Sequence, residues 1–214
     1  MERLIFHIDV NSAYLSWTAV ENLKNGDSVD LREIPAIIGG DMASRHGIVL
    51  AKSIPAKAYK ITTGEPVAHA LQKYPKLVMA PPNHKLYSQY SHRLMELLRT
   101  FSPAIEQVSI DECYMDFTDY IKNYNSPIDA ATKIKDTVRN TFGFTVNVGI
   151  SNNKLLAKMA SDFQKPDRVH TLFPEEVPKK MWPLPVRDLF MVGKSAAATL
   201  EKLEILTIGD LAHT

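Results

Sequence analysis

EQVSIDECYMDF, residues 106–117, sets two adjacent acids, Asp111 and Glu112, inside an otherwise apolar run. The alternation around them reads as a β-hairpin with the acids near its bend. Neighbouring strand residues point to opposite faces, so both acids reach one point only at a bend or a strand end. A third acid is placed in a similar way. In MERLIFHIDV, Leu4, Phe6, Ile8 and Val10 alternate with Ile5, His7 and Asp9, which predicts a strand covered on both faces and ending near Asp9. An unpaired buried carboxylate costs several kcal/mol, whereas a divalent cation such as Mg²⁺ takes hard oxygen ligands and removes that cost. The alternative is that Asp9 caps the next helix and Asp111-Glu112 marks an exposed turn. On the residues alone the two readings are balanced.

Outward from these acids the chain reads as mixed elements. Asn11 and Ser12 are capping residues for a helix running to about Leu23, and Asn25-Gly26 is a turn. Residues 35–53 predict a second hairpin, with Gly39, Gly40 and Gly47 in its connection. Helices are expected over 66–73 and 86–99, the latter on a stripe of Leu86, Tyr90, Leu94 and Leu97. Ser126-Pro127 opens a helix that Gly143 closes, with Ala131, Ile134, Val138 and Phe142 facing inward. Residues 145–150 alternate as a strand and 153–163 form a helix. This order predicts an α+β fold, a split βαβ core with an excursion at 30–100. From about residue 166, Pro174, Pro178, Pro183 and Pro185 break the chain into a small helical unit.

The 214 residues are 45% hydrophobic and 23% charged, which is ordinary for a folded protein and argues against disorder. Apolar runs are too short for a membrane span, and the N-terminus reads as a strand rather than a signal peptide, so a cytoplasmic location is expected. The single cysteine, Cys113, makes no internal disulfide. No histidine is placed to activate it as a nucleophile. A net charge of +1 neither announces nor excludes nucleic acid, because an acidic metal centre would mask basic surface elsewhere.

Four stretches then fall in register with one family. HIDVNSAYLS (7–16), VSIDECYMDFT (108–118), VGISNNKLLAKMASDFQKPD (148–167) and VGKSAAATLEKLEILTIGDLA (192–212) resemble motifs of Y-family DNA polymerases of the DinB/UmuC class. The resemblance runs essentially end to end. It implies a ferredoxin-like polymerase palm (1–30 and 100–165), a small fingers insertion (31–99) and a helix–hairpin–helix thumb (166–214). It implies low-fidelity translesion synthesis in DNA repair: transfer from a dNTP to the 3′-hydroxyl of a primer–template, by a bacterial, nucleoid-associated enzyme working as a monomer. Asp9, Asp111 and Glu112 match the family's metal-binding carboxylates, with the Val10 main-chain carbonyl a further ligand. The implied cofactor is two Mg²⁺ ions, with Mn²⁺ also suited, about 3.5–4 Å apart in such two-metal sites.

The same resemblance makes Tyr14 a steric gate against a ribose 2′-hydroxyl and Lys165 a triphosphate contact. Without it, a core aromatic and a solvated lysine are the simpler readings. In SIPAKAYKI (53–61) the family's tyrosine and arginine positions hold Ile54 and Lys57. Lys57 keeps the charge but not the fork geometry, and Lys52 is a nearby substitute. Val192, Gly193 and Lys194 fall at the hairpin turn whose backbone N–H groups bind a DNA phosphate, although Met191 and Glu204 stand where glycines are usual. Gly193-Lys194-Ser195 is no phosphate-binding loop, because Asp188 holds the required upstream glycine position. The family's little-finger domain, which supplies much of the grip on DNA, is absent before Thr214. The expectation is therefore a truncated core with weak, salt-sensitive DNA binding, and a sliding-clamp contact in the missing region. A non-catalytic binding module and a nucleotide cyclase are the competing readings. The three acids argue against the first, and the fingers and thumb segments against the second.

Overall fold

Every residue of the first strand, β1 (Ile5–Val10), is buried, which is what its apolar alternation on both faces demands. The structure is a computed structural model that describes residues 2–40 and 47–214. Residues 41–46, in the connection of the hairpin expected at 35–53, lie outside the described residues. The chain forms two compact units: Met1–Asp9, Leu98–Thr137 and Thr145–Thr214 make the first, and Val10–Leu97 with Val138–Phe144 the second.

In the first unit, β5 (Ile105–Gln107), β6 (Glu112–Asp116), β7 (Val146–Ser151) and β8 (Val169–Thr171) join β1 in a five-stranded sheet ordered β5-β6-β1-β7-β8. The first four strands stand in the order of a split βαβ core, so the α+β expectation holds. β1 and β6 are antiparallel, with Asp9 opposite Glu112 and His7 opposite Tyr114. All six residues of β7, the strand expected at 145–150, are buried. Its buried Asn147 is satisfied by donating to the Ser161 and Gln164 carbonyls, at 2.9 and 2.7 Å. β8, parallel to β7, is an edge strand that a three-residue span hides from pattern reading. Stacked Phe6 and Phe117, with centroids 4.7 Å apart, fill the core.

Helix α6 (Lys154–Asp162) lies on β7 because Gly149 leaves room for it. A Cβ there would come within 2.0 Å of the Ala157 carbonyl oxygen and 2.4 Å of the Ser161 nitrogen. The Asn153 side chain caps this helix, accepting from the Leu156 amide at 2.9 Å. On its other side, Met159 and Ala160 pack with Leu172, Met181 and Ile208. That cluster draws in α7 (Val177–Lys180) and α9 (Ile208–Ala212), which with α8 (Lys194–Lys202) are the short helices expected in this proline-broken stretch.

The second unit is built on a three-stranded sheet ordered β3-β2-β4, from β2 (Ala36–Gly39), β3 (Val49–Lys52) and β4 (Val78–Ala80). Helix α1 (Ala13–Lys24) covers one face, where Leu15 and Ala19 meet Ala36, Ile38 and Ala51. On the other face α2 (Ile54–Lys57) and α3 (Val67–Lys73) bring Ala56, Val67 and Ala70 to Ile37 and Val49. Ser12 is the N-cap of α1 in a left-handed conformation, φ 49°, and its side chain makes no capping bond. Helix α4 (His84–Arg99) buries Tyr90 and Leu94 of the expected stripe together with Tyr87 and Leu98, while Leu86 and Leu97 are half-buried. Leu86-Tyr87 and Leu97-Leu98 allow two adjacent stripes that share Tyr90 and Leu94, and aromatic packing favours the one carrying Tyr87. Helix α5 (Pro127–Phe142) buries Ala131, Ile134, Val138 and Phe142 as expected, and Gly143 follows it with φ 80°. No helix among the described residues is long and apolar enough to cross a membrane.

Candidate active site

Asp9 is 8% exposed, and Glu112, its cross-strand partner, opens β6 just after the bend at 109–111. Cross-strand neighbours lie within about 5.5 Å, so two carboxylates share one small volume. Two lysines neutralise them. Lys158 Nζ on α6 donates to Glu112 Oε2 at 3.0 Å and stands 3.9 Å from Asp9 Oδ2. Lys165 Nζ donates to Asp9 Oδ2 and lies 2.8 Å from Asp162 Oδ1. Asp162, 3.5 Å from Lys158, closes the network.

Burial pushes the Asp9 carboxyl above the ordinary range, and the ammoniums of Lys165 and Lys158 only partly offset this. Burial likewise works against the charge on both lysines, but the carboxylates around them prevail and hold each ammonium above its usual range. Burial also opposes ionisation of Asp162, and Lys165 and Lys158 reverse that, leaving its carboxyl low. His7, packed behind Glu112, is lowered to about 3, by burial first and then by Lys158. Cys113 is fully buried and its thiol is pushed up to about 12 by burial, the state of an inert core residue.

Asp111 stands in the bend beside this pair, half-buried, and accepts from Ser109 Oγ at 2.7 Å. It is adjacent to Glu112 in sequence, and its side chain bonds to Ser109 rather than to Lys158 or Lys165 among the described residues. Among the described residues no three His, Cys, Asp or Glu side chains are arranged to hold a metal ion. The donor set nonetheless fits a hard divalent cation: carboxylate oxygens gathered in an apolar sheet, with lysine ammoniums standing in for positive charge. Asp9 does not cap α1, a role that falls to Ser12, so the capping alternative for this acid fails.

The other expected residues are placed as follows. Val10, next to Asp9, is buried. In the second unit Tyr14 stacks on Tyr87 at 4.3 Å and 8°, with Trp17 at 6.3 Å, and is itself only half-buried. Lys57 is exposed in the single turn of α2, which Ser53 caps by accepting from Ala56 at 3.2 Å. Lys52 is half-buried, and burial, followed by the Lys57 charge, holds its ammonium low. In the first unit Val192, Gly193 and Lys194 form the start of α8, beside a depression of ≈ 350 Å³ also lined by Arg187 and Glu201. Met191 has φ 74° and Glu204 φ 61°, so both stand in the left-handed region that favours glycine.

The model of the impB/mucB/samB family matches residues 8–162, and that of the IMS family HHH motif matches 174–205. The chain belongs to the impB/mucB/samB family. DNA polymerase IV of Clostridium acetobutylicum is 55% identical over 212 residues, 99% of this chain and 53% of that protein. DNA polymerase IV 1 of Bacillus subtilis is 39% identical over 211 residues, 98% of this chain and 49% of that protein. Among solved structures, DinB from Sulfolobus solfataricus superposes with a TM-score of 0.85 at 26% identity, covering 99% of this chain and 60% of that one. The insertion ternary complex of Dbh DNA polymerase gives 0.85 with the same coverage. The chain thus spans about half the length of the curated relatives it matches. The family match meets the Y-family expectation.

Reading the sequence did not single out His7, Lys158, Ser161 or Asp162 as parts of the site. Lys158 and Asp162 carry the i, i+4 spacing of one helix face, a signal that was present in KLLAKMASD. His7 carries the strand period of two that aligns it with Asp9, and a buried histidine without that neighbour means little.

Proposed function

We propose that this chain is the catalytic core of a template-directed DNA polymerase that transfers a nucleotide from a dNTP to a primer 3′-hydroxyl, with low fidelity and bypass of damaged template. Residues 1–30 with 100–165 serve as palm, 31–99 as fingers and 166–214 as thumb. The supporting observation is the cross-strand pair Asp9–Glu112 inside an apolar sheet, neutralised by two lysines from one helix and the loop after it. The likeness to the insertion ternary complex of Dbh DNA polymerase supports DNA and nucleotide as partners.

Asp9, Glu112, Asp111 and the Val10 carbonyl hold the divalent cations. Mg²⁺ is the expected ion and Mn²⁺ also fits. When bound, two such ions supply Lewis-acid activation of the hydroxyl and charge neutralisation on the departing pyrophosphate. Asp111 joins by exchanging its bond to Ser109, a single hydroxyl in a bend. Lys165 neutralises the triphosphate, which competes with Asp9 and Asp162 for its ammonium. Lys57 adds charge on the phosphates. Tyr14, held flat against Tyr87, closes the space a 2′-hydroxyl needs. Val192, Gly193 and Lys194 grip a DNA phosphate. The polymerase works as a cytoplasmic monomer, and any sliding-clamp contact belongs to the part of the relatives beyond this chain.

The test is equilibrium binding of Mn²⁺ with dNTP present, counted by electron paramagnetic resonance. Two ions per chain with primer–template are expected, and Glu112→Gln and Asp9→Asn each abolish at least one. A parent chain that binds neither Mn²⁺ nor dNTP would sink the proposal and favour a binding module.

A further inference from the structure

His7 lies two residues before Asp9 on β1, is 1% exposed, and takes no part in the metal centre proposed above. Its ring is gripped from two sides. Nδ1 is 2.8 Å from Ser161 Oγ, and Nε2 is 3.4 Å from Glu112 Oε2. Nε2 is sealed from solvent and has no hydrogen bond of ordinary length. Tyr114 packs on the ring with centroids 4.9 Å apart, so the ring cannot swing away to find another partner.

A neutral imidazole has one proton for two nitrogens, and the neighbours decide where it sits. With the proton on Nδ1, Ser161 Oγ accepts it and turns its own hydrogen to the Lys158 carbonyl, 2.8 Å away. The Nε2 lone pair then faces a carboxylate oxygen in a dry site, and neither acceptor gains a partner. A buried polar atom left unmatched in this way is unfavourable, because its lost bond to water is not replaced. With the proton on Nε2, the Ser161 hydroxyl donates to Nδ1, and the positive end of the Nε2–H bond, rather than a lone pair, lies near the Glu112 carboxylate, 3.4 Å away. The only loss is the bond to the Lys158 carbonyl, which the helix ladder of α6 satisfies from Asp162 in any case. The second arrangement therefore prevails.

We propose that His7 is a positioning residue for the Glu112 carboxylate: Ser161 fixes the Nε2–H tautomer, and Nε2–H holds Glu112 Oε2 in place. Lys158 donates to the same oxygen at 3.0 Å, so both contacts act on Oε2 and leave Oε1 as the oxygen for a cation. Ser161 is in position because Gly149 lets α6 come so close to the sheet. The inference rests on the reading of Glu112 as a cation ligand, but the tautomer is a property of the protein without metal.

Two measurements test it. Long-range ¹H–¹⁵N correlation of the metal-free chain is expected to show His7 as the Nε2–H tautomer. An Nδ1–H signal would overturn the proposal. In Mn²⁺ titrations, His7→Phe is expected to weaken binding about 10- to 100-fold, the usual loss when a ligand's supporting partner is removed. His7→Gln carries an amide nitrogen where Nε2 stands and restores most of the affinity. His7→Asn reaches only Ser161 and does not. A merely structural role would not separate glutamine from asparagine, so equal affinity in the two would overturn the proposal, as would parent-like binding by His7→Phe. If His7→Phe fails to fold, Ser161→Ala replaces it: the ring stays but Nδ1 loses the hydroxyl that anchors it, so Mn²⁺ binding is expected to weaken, and parent-like binding would overturn the proposal. A parent that binds no Mn²⁺ would end the metal reading, and the tautomer alone would then decide whether Ser161 and His7 form this pair.

Discussion

Replacing Gly149 by alanine adds one methyl group where the structure has no space for it. The new Cβ would lie 2.0 Å from the Ala157 carbonyl oxygen, 2.4 Å from the Ser161 nitrogen and 3.0 Å from the Ser161 Cβ. Carbon and carbonyl oxygen ordinarily approach no closer than about 3.3 Å, so α6 must withdraw by roughly 1.3 Å. The obstacles are main-chain atoms, and no rotamer change relieves them. Overpacking of this kind costs about 1–3 kcal/mol and occasionally more. Withdrawal of the helix adds to this, because it loosens the fully buried Ala157 and Ala160. We expect a loss of about 3–5 kcal/mol in total, which for a chain of this size lowers Tm by roughly 6–20 °C. The same movement carries Lys158 from Glu112 and Ser161 from His7, so Mn²⁺ affinity should fall in any protein that remains folded. Thermal unfolding followed by circular dichroism measures the first effect. A variant melting within about 2 °C of the parent would show that α6 does not sit on β7 as described, and the argument for the lysine placement would fail with it.

Three further outcomes are expected. Met191→Gly and Glu204→Gly should each leave stability unchanged or raise it by up to about 1 kcal/mol, because relief of a left-handed side chain offsets the added freedom of the unfolded chain. Urea midpoints check this, and a clear loss in both would show that these turns are not left-handed. For Asp116, burial works against ionisation, but donation by Thr118 N at 3.1 Å and Thr118 Oγ1 at 2.6 Å, with Arg3 at 3.1 Å, holds its carboxyl below the ordinary range. A depressed folded pKa contributes stability that is present above the unfolded value of about 3.9 and is lost as pH falls through the folded value. Asp116→Asn should therefore cost about 1 kcal/mol at pH 7, a deficit that shrinks towards pH 3 in the same urea assay. A deficit of constant size from pH 7 to pH 3 would contradict the assignment. Tyr14→Ala should raise the ratio of ribonucleotide to deoxyribonucleotide insertion about tenfold or more, equivalent to about 1.4 kcal/mol of lost discrimination. An unchanged ratio in single-turnover assays would return Tyr14 to a purely structural role.

The strands and helices that bury a patterned face were legible in the sequence, as the α5 stripe from Ala131 to Phe142 illustrates. Short edge elements were not. β4 and β8 span three residues each, too few for a period to emerge, and their pairing is set by the neighbour strand. On α4 two apolar stripes competed, and the stacking of Tyr87 on Tyr14 decided between them, an interaction that spacing along one helix cannot reveal. The acids of the candidate site were visible because a carboxylate in an apolar strand is costly. Of the cations that answer them, Lys165 was named, as a phosphate contact, and Lys158 was not, because a lysine on a helix is ordinary until the fold sets it over a buried acid. Met191 and Glu204 fall between these cases: their departure from glycine was visible in the sequence, but only the backbone shows that the left-handed turn persists without it.

The central claim is that the Asp9, Asp111 and Glu112 carboxylates support template-directed nucleotide transfer. Single-nucleotide primer extension by this chain, at low salt with Mg²⁺ or Mn²⁺, tests it most directly when set against Asp111→Ala. The account predicts addition of the nucleotide complementary to the template, dependent on the divalent ion and abolished by the substitution. Addition that ignores the template, addition that survives in Asp111→Ala, or no addition at any excess of the parent chain would contradict it.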